Sequence, residues 1–209
     1  MSKLIYIESS PRKERSSSIK ITNAFLDAYK KTHPQDEVDK LDLWATKLPP
    51  FDGDTIKAKY QILHGLEHTP EEATAWREVV AIFDRFSRAD KYVFSVPMWN
   101  FGIPYQFKHY IDIITQPGLS FSFSPQEGYK GLVTGKLAVV LYARGGEYSS
   151  NDTVGALDFQ KPYVEMWLGF IGFSDIRSIV IEPTLSAPET VQKNETETIK
   201  QAVDLAKSF

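Results

Sequence analysis

Cysteine is absent from all 209 residues, which excludes disulfides, thiolate nucleophiles, iron–sulfur clusters and cysteine–zinc sites. Long apolar runs are missing too: nothing approaches the roughly 20 residues that a membrane-spanning helix needs. The first apolar stretch, Leu4-Ile5-Tyr6-Ile7, stops at Glu8 and is too short for a secretory signal. Basic residues are not in excess, since 24 Lys and Arg stand against 27 Asp and Glu for a net charge of −3. That balance gives no reason to expect a nucleic-acid partner. His33, His64, His68 and His109 show no metal-ligand spacing with carboxylates. The sequence reads as cytoplasmic, with no membrane, nucleic-acid or metal partner. Its sequons, Asn151-Asp152-Thr153 and Asn194-Glu195-Thr196, are expected to stay unmodified.

What is present suits one sizeable α/β domain over residues 1–209. Hydrophobic residues make up 42% and charged residues 24%, enough to build a core. Residues 3–7, 38–43, 91–96, 137–142 and 176–181 read as strands, and residues 16–31, 69–88, 104–115 and 162–170 as helices. A last helix, capped by Ser186-Ala187-Pro188-Glu189, runs to Ala206. Thr69-Pro70-Glu71-Glu72 is a strong helix start, with a cap, a first-turn proline and a glutamate three residues on. Residues 44–68 have weak periodicity, with turns at Pro49-Pro50 and Asp52-Gly53, and residues 119–124 suggest a short hairpin arm. The alternation implies a parallel sheet with helices on both faces. Five strands fit the flavodoxin-like doubly wound type, whose ligands bind at the carboxyl ends of the strands.

Three loops fall at such ends. The first, residues 9–18, holds Ser10, Ser16, Ser17 and Ser18 with Arg12, Lys13 and Arg15. It lacks the glycine fingerprints of dinucleotide and triphosphate sites. Hydroxyls and the free N–H groups of a helix start can instead hold a monophosphate, with the basic residues offsetting its charge; a solvated loop with a serine cap fits the same residues. The second, residues 97–104, brings Met98, Trp99, Asn100 and Phe101 between two prolines, a stiff apolar wall with one amide able to read a heterocycle edge. A buried loop packed on the next helix fits equally. The third, Ala143-Arg144-Gly145-Gly146, offers close backbone approach and an N–H nest, or a plain turn. Together the three loops match the phosphate, ring face and pyrimidine edge of flavin mononucleotide (FMN).

The motifs that carry a family resemblance are Ser9-Ser10 with residues 16–18, PMWNFGIP running into FKHYID, GLVTGK at 131–136, ARGG at 143–146 and LGFIG at 168–172. On these, over nearly the whole chain, the sequence resembles the FMN-dependent NADH-azoreductases, a branch of the flavodoxin-like quinone reductases. The resemblance implies FMN phosphate binding by Ser10 and Ser16–Ser18. It places the ring and ribityl chain against Met98, Trp99, Asn100 and Phe101, and the pyrimidine end against Ala143, Arg144, Gly145 and Gly146. It further implies a homodimer in which Phe123 and Phe170 reach the partner's flavin. Trp99 and Ala143 depart from the tyrosine and serine common there, and Phe123 from a tyrosine seen in some members, which bears on substrate preference.

The implied activity is two-electron reduction of a quinone or azo compound by NADH or NADPH, in ping-pong order through one shared pocket, with no catalytic side chain required. His109 and Asp112, next to the second loop, read as structural or surface residues. A flavodoxin-type electron carrier and a flavin reductase are the alternative activities.

Overall fold

The computed structural model describes residues 1–149 and 152–209, so the sequon at Asn151 lies outside the described residues. In chain order the elements are β1 (Lys3–Glu8), α1 (Ser17–Thr32), β2 (Glu37–Asp42), α2 (Gly53–Leu63), α3 (Pro70–Ser87), β3 (Lys91–Pro97) and α4 (Tyr105–Ile114). They continue with β4 (Phe121–Ser124), β5 (Gly128–Gly131), β6 (Leu137–Ala143), α5 (Asp152–Gly155), α6 (Lys161–Ile171), β7 (Asp175–Ile181) and α7 (Pro188–Lys207). The expected five-stranded sheet is present in the order β2-β1-β3-β6-β7, and every pairing in it is parallel. The chain leaves β1 in one direction to β2 and then returns past it to β3. A crevice opens at that reversal, at the carboxyl ends of β1 and β3.

Alternation along the strands feeds two cores. Leu4 and Tyr6 of β1, with Val139 and Leu141 of β6, pack under α1 and α7 against Phe25, Tyr29 and Ala202. Ile5 and Ile7, with Ala138, Val140 and Tyr142, face α3, α4 and α6 and meet Phe86, Phe107 and Trp167. Both faces are covered, which is why β3 and β6 read as nearly unbroken apolar runs.

The start of α3 is a capping box: Thr69 Oγ1 accepts from Glu72 N–H at 3.2 Å, and the Glu72 carboxylate accepts from Thr69 N–H at 2.8 Å. Asp52-Gly53, by contrast, is the start of α2 rather than a turn, with Asp52 accepting from Thr55 N–H at 3.1 Å. This helix buries just Thr55 and Ala58, so its apolar pattern is too thin to stand out. The last helix has Ala187 at its cap position with no side-chain bond, so Pro188 at the first turn, not Ser186, marks its start. The expected arm is half of a hairpin, β4 against β5. The GLVTGK and LGFIG motifs turn out to cross: a Cβ on Gly131 would lie 2.4 Å from the backbone N of Gly172. No described helix is long and apolar enough to cross a membrane. The Asn194 amide, on α7, donates to the Glu182 carbonyl at 3.0 Å.

Candidate functional site

A cleft lies at the carboxyl ends of β1, β3 and β6. Arg12, Ser16 and Ser17 form one wall, Pro97, Met98 and Trp99 a second, and Ala143 and Gly145 a third. All three expected loops therefore converge. A fourth segment, Thr184 and Leu185 after β7, completes the enclosure. Sequence reasoning missed it because a threonine and a leucine in a loop carry no chemical signature; the position one residue past the Glu182-Pro183 pair was the available signal.

On the first wall, α1 begins at Ser17 with Ser16 at the cap position, yet no side chain caps it. Ser16 Oγ instead pairs with Ser18 Oγ at 3.1 Å. The first N–H groups of a helix have no acceptor within it, so here they meet the cleft with two serines and Arg12 beside them. That donor set fits a phosphate. Ser10 and Ser18 are fully buried and do not line the cleft. Ser10 Oγ accepts from Arg12 N–H at 3.3 Å and so shapes the loop. Ser9 Oγ donates to the Ser95 carbonyl at 2.6 Å, and the Trp44 indole donates to the Ser9 carbonyl at 2.9 Å. Lys13 is turned away: its ammonium lies 2.8 Å from Glu8 and 2.5 Å from Asp42. The expectation that Lys13 offsets a bound charge is therefore corrected, because two carboxylates already take it up.

The second wall ends in a tight turn. Trp99 and Gly102 exchange backbone hydrogen bonds at 3.1 and 2.9 Å across Asn100 (φ 46°) and Phe101 (φ 70°). Asparagine tolerates that region, whereas a phenylalanine there is strained by about 1–3 kcal/mol. The Phe101 carbonyl is fixed by Phe159 N–H at 2.9 Å, which helps hold the turn. Asn100 and Phe101 sit at its tip, outside the cleft walls, with Phe101 exposed. The Trp99 ring packs 5.8 Å from Trp44 and 6.3 Å from Tyr105, so the wall is three aromatics deep.

At the third wall the Arg144 side chain points inward. It is buried among Asp158 (2.5 Å), Glu182 (3.3 Å) and the Gln160 side-chain oxygen Oε1 (3.0 Å). Gln160 in turn donates to the Val96 carbonyl at 2.9 Å, just ahead of the second loop. Burial alone would raise the Glu182 carboxyl, but bonds from Ser149 and the Tyr148 and Ser149 N–H groups, with the Arg144 charge, hold it below its usual range. The Arg144 carbonyl accepts from Thr184, and the Gly145 carbonyl accepts from Leu185 N–H at 3.1 Å. A Cβ on Gly145 would meet Leu185 Cδ1 at 2.9 Å. The Leu185 side chain, which is largely exposed, thus lies over Gly145, a neighbour the sequence did not suggest. Gly146 lies next to Tyr148 and outside the walls.

Phe123 and Phe170 do not line this chain's cleft. Tyr129 joins them, 4.9 Å from Phe123 and 5.7 Å from Phe170. The cluster spans β4, β5 and α6, with Phe123 and Tyr129 largely exposed. His109 Nε2–H donates to the Pro49 carbonyl at 3.0 Å, and Asp112 pairs with Lys108 at 2.6 Å, so both are structural contacts of α4. Among the described residues no group of three or more His, Asp or Glu could hold a metal ion.

Comparison with known proteins follows the same lines. A family described as having a flavodoxin-like fold matches residues 2–205. An "FMN-dependent NADH:quinone oxidoreductase" of Desulfotalea psychrophila is 50% identical over 210 residues, covering 100% of this chain and 98% of that protein. The crystal structure of an azoreductase from Bacillus anthracis strain Sterne superposes with a TM-score of 0.93 at 33% identity over 100% of both chains. A second B. anthracis structure, an FMN-dependent NADH-azoreductase in complex with FMN, gives 0.87 at 27% identity, covering 99% of this chain and 100% of that one.

Proposed function

We propose that this chain, which belongs to the flavodoxin-like fold family, is an FMN-dependent NADH:quinone oxidoreductase that also reduces azo compounds. The observation that carries the reading is the cleft at the β1/β3 reversal, where an uncapped helix start, an aromatic wall and a glycine loop meet. Names of relatives at up to 50% identity agree with it.

The α1 N-terminus, Ser16, Ser17 and Arg12 hold the FMN phosphate. Met98 and Trp99 line the ring face, while Ala143 and Gly145 approach it through their backbone. Bound FMN would supply the two-electron redox chemistry that links the nicotinamide donor to the acceptor. The protein's part is to bind, orient and exclude water. Donor and acceptor use the same open face in turn, which gives ping-pong kinetics, with NADPH as a second candidate donor. Ser10 and Ser18 act by shaping the phosphate loop, and Asn100, Phe101, Arg144 and Gly146 by shaping the other two. The exposed Phe123 and Tyr129 beside half-buried Phe170 support a homodimer in which Phe123 and Phe170 would close the partner's cleft. The unit is one FMN-binding domain over residues 1–209, working in the cytoplasm.

The test is an anaerobic absorbance spectrum of FMN-loaded protein before and after NADH, then after a quinone. Yellow absorbance that bleaches with NADH and returns with quinone is expected. FMN that binds but is reduced by neither nicotinamide would move the reading to an electron carrier. Release of the reduced flavin would move it to a flavin reductase, and a protein that cannot be loaded would refute it.

A further inference from the structure

We propose that Lys13 is a positioning residue that latches the phosphate loop to the sheet, and that the phosphate is recognised by Arg12 and the α1 N-terminus instead. The inference rests on the FMN reading given above and assigns roles within that site.

Lys13 is the sole lysine whose backbone is left-handed among the described residues, at φ 50°. A non-glycine residue pays about 1–3 kcal/mol to stay there and does so where its surroundings fix it. The end of the sheet supplies that restraint. Glu8, the last residue of β1, is 1% exposed, and its two oxygens are taken by Lys13 at 2.8 Å and Lys40 at 2.6 Å. Lys13 reaches on to Asp42, the last residue of β2, at 2.5 Å. Asp42 also accepts from Trp44 N–H at 3.0 Å, and Trp44 holds the Ser9 carbonyl. Tyr6 completes the cluster, its hydroxyl 3.2 Å from Glu8 and 3.1 Å from Ser95. Burial holds that phenol far above its ordinary range, so it stays a neutral donor.

The same lysine sets the course of the loop. Its carbonyl accepts from Ser16 N–H at 2.9 Å, immediately before α1. Arg15 N–H closes on the Arg12 carbonyl at 3.0 Å, making a single turn around Lys13. Pulling the ammonium down onto two strand ends thus aims Arg12, Ser16 and Ser17 into the cleft. Two lysines against two carboxylates leave the cluster neutral, so it adds no net attraction for an anion. Burial works against the Lys13 ammonium, but the Asp42 and Glu8 bonds outweigh it and raise its pKa. It stays charged and engaged throughout the neutral range.

A latch and a phosphate ligand respond oppositely when the carboxylates are neutralised. The experiment measures the dissociation constants of FMN and of riboflavin, which lacks the phosphate, for the full-length apoprotein. It compares wild type with Lys13→Met, Lys13→Gly and the double variant Glu8→Gln/Asp42→Asn. The readout is the riboflavin-to-FMN ratio within each folded variant, so a general loss of stability cancels. If Lys13 latches the loop, the double variant and Lys13→Met each lower the ratio by about tenfold. Lys13→Gly, which suits φ 50° without the latch, falls with them. If Lys13 is a ligand, the double variant frees it for the phosphate and the ratio holds or rises while Lys13→Met falls, which overturns the proposal. A ratio near one in wild type would refute the phosphate cradle itself, a separate failure.

Discussion

The two ends of the cleft are each built over one buried charge, of opposite sign. Below the phosphate loop Glu8 is 1% exposed, and the lysines that meet it, Lys13 and Lys40, are 39% and 52% exposed. Below the glycine loop Arg144 is also 1% exposed, but its partners Asp158 and Glu182 are 13% and 9% exposed. The first network is open to water on its cationic side, and flexible lysines can swing away and be solvated. The second is far more enclosed, and planar guanidinium geometry ties three chain segments at once. One end can be loosened while the fold persists; the other holds the fold and the site together.

The largest effect expected from this contrast is at Arg144. Replacing it with methionine keeps the length but leaves Asp158 and Glu182 without a cation. Breaking a buried pair in this way costs about 3–5 kcal/mol, which for a chain of this size lowers Tm by roughly 10 °C. Thermal denaturation followed by circular dichroism reads it directly. A change no larger than a surface substitution would show the two ends to be alike.

Glu8→Gln should do much less to stability. The amide keeps a hydrogen-bonding atom toward Tyr6, Lys13 keeps Asp42, and Lys40 is free to reach solvent. The expected cost is about 1 kcal/mol, or roughly 3 °C in Tm. A loss matching that of Arg144→Met would mean that Glu8 is the more rigid anchor, and the contrast would be reversed.

These two anchors also mark where the sequence was legible. Strand and helix positions followed from period and length, because both sheet faces are covered and long apolar runs leave few alternatives. The three loops were found because their residues are conspicuous: serines at a helix start, aromatics between prolines, paired glycines. What hid was pairing over distance. Nothing in the order of residues says that Lys13 will turn from the cleft to Glu8 and Asp42, since an exposed lysine beside serines looks like a phosphate ligand. Arg144 likewise sits inside a glycine motif, yet its partners are 14 and 38 residues away in the chain. Leu185 enters the site through its contact with Gly145, a matter of backbone crossing that residue type alone does not reveal.

The smallest effect, and the one that separates the two ends without mutation, is that of pH. Asp42 titrates below its ordinary value of 3.8: burial would raise it, but bonds from Lys13 and Trp44 N–H prevail. Glu182 likewise lies below its ordinary 4.5. Carboxyls depressed in the folded state contribute stability that is present above the unfolded value and lost as pH falls through the folded one. Both ends therefore weaken together in acid, below about pH 4. On the alkaline side they part. Lys13 is raised above 10.5, so its contribution is complete below that value and is lost as pH rises through the folded value. The network below the glycine loop is built on Arg144 and contains no lysine. Tm of wild type and Lys13→Met should differ by a constant amount across the neutral range. The two curves should converge as pH rises past the ordinary lysine value of 10.5 and the wild-type ammonium is lost. Curves that stay parallel there would show that the Lys13 charge contributes nothing to the latch.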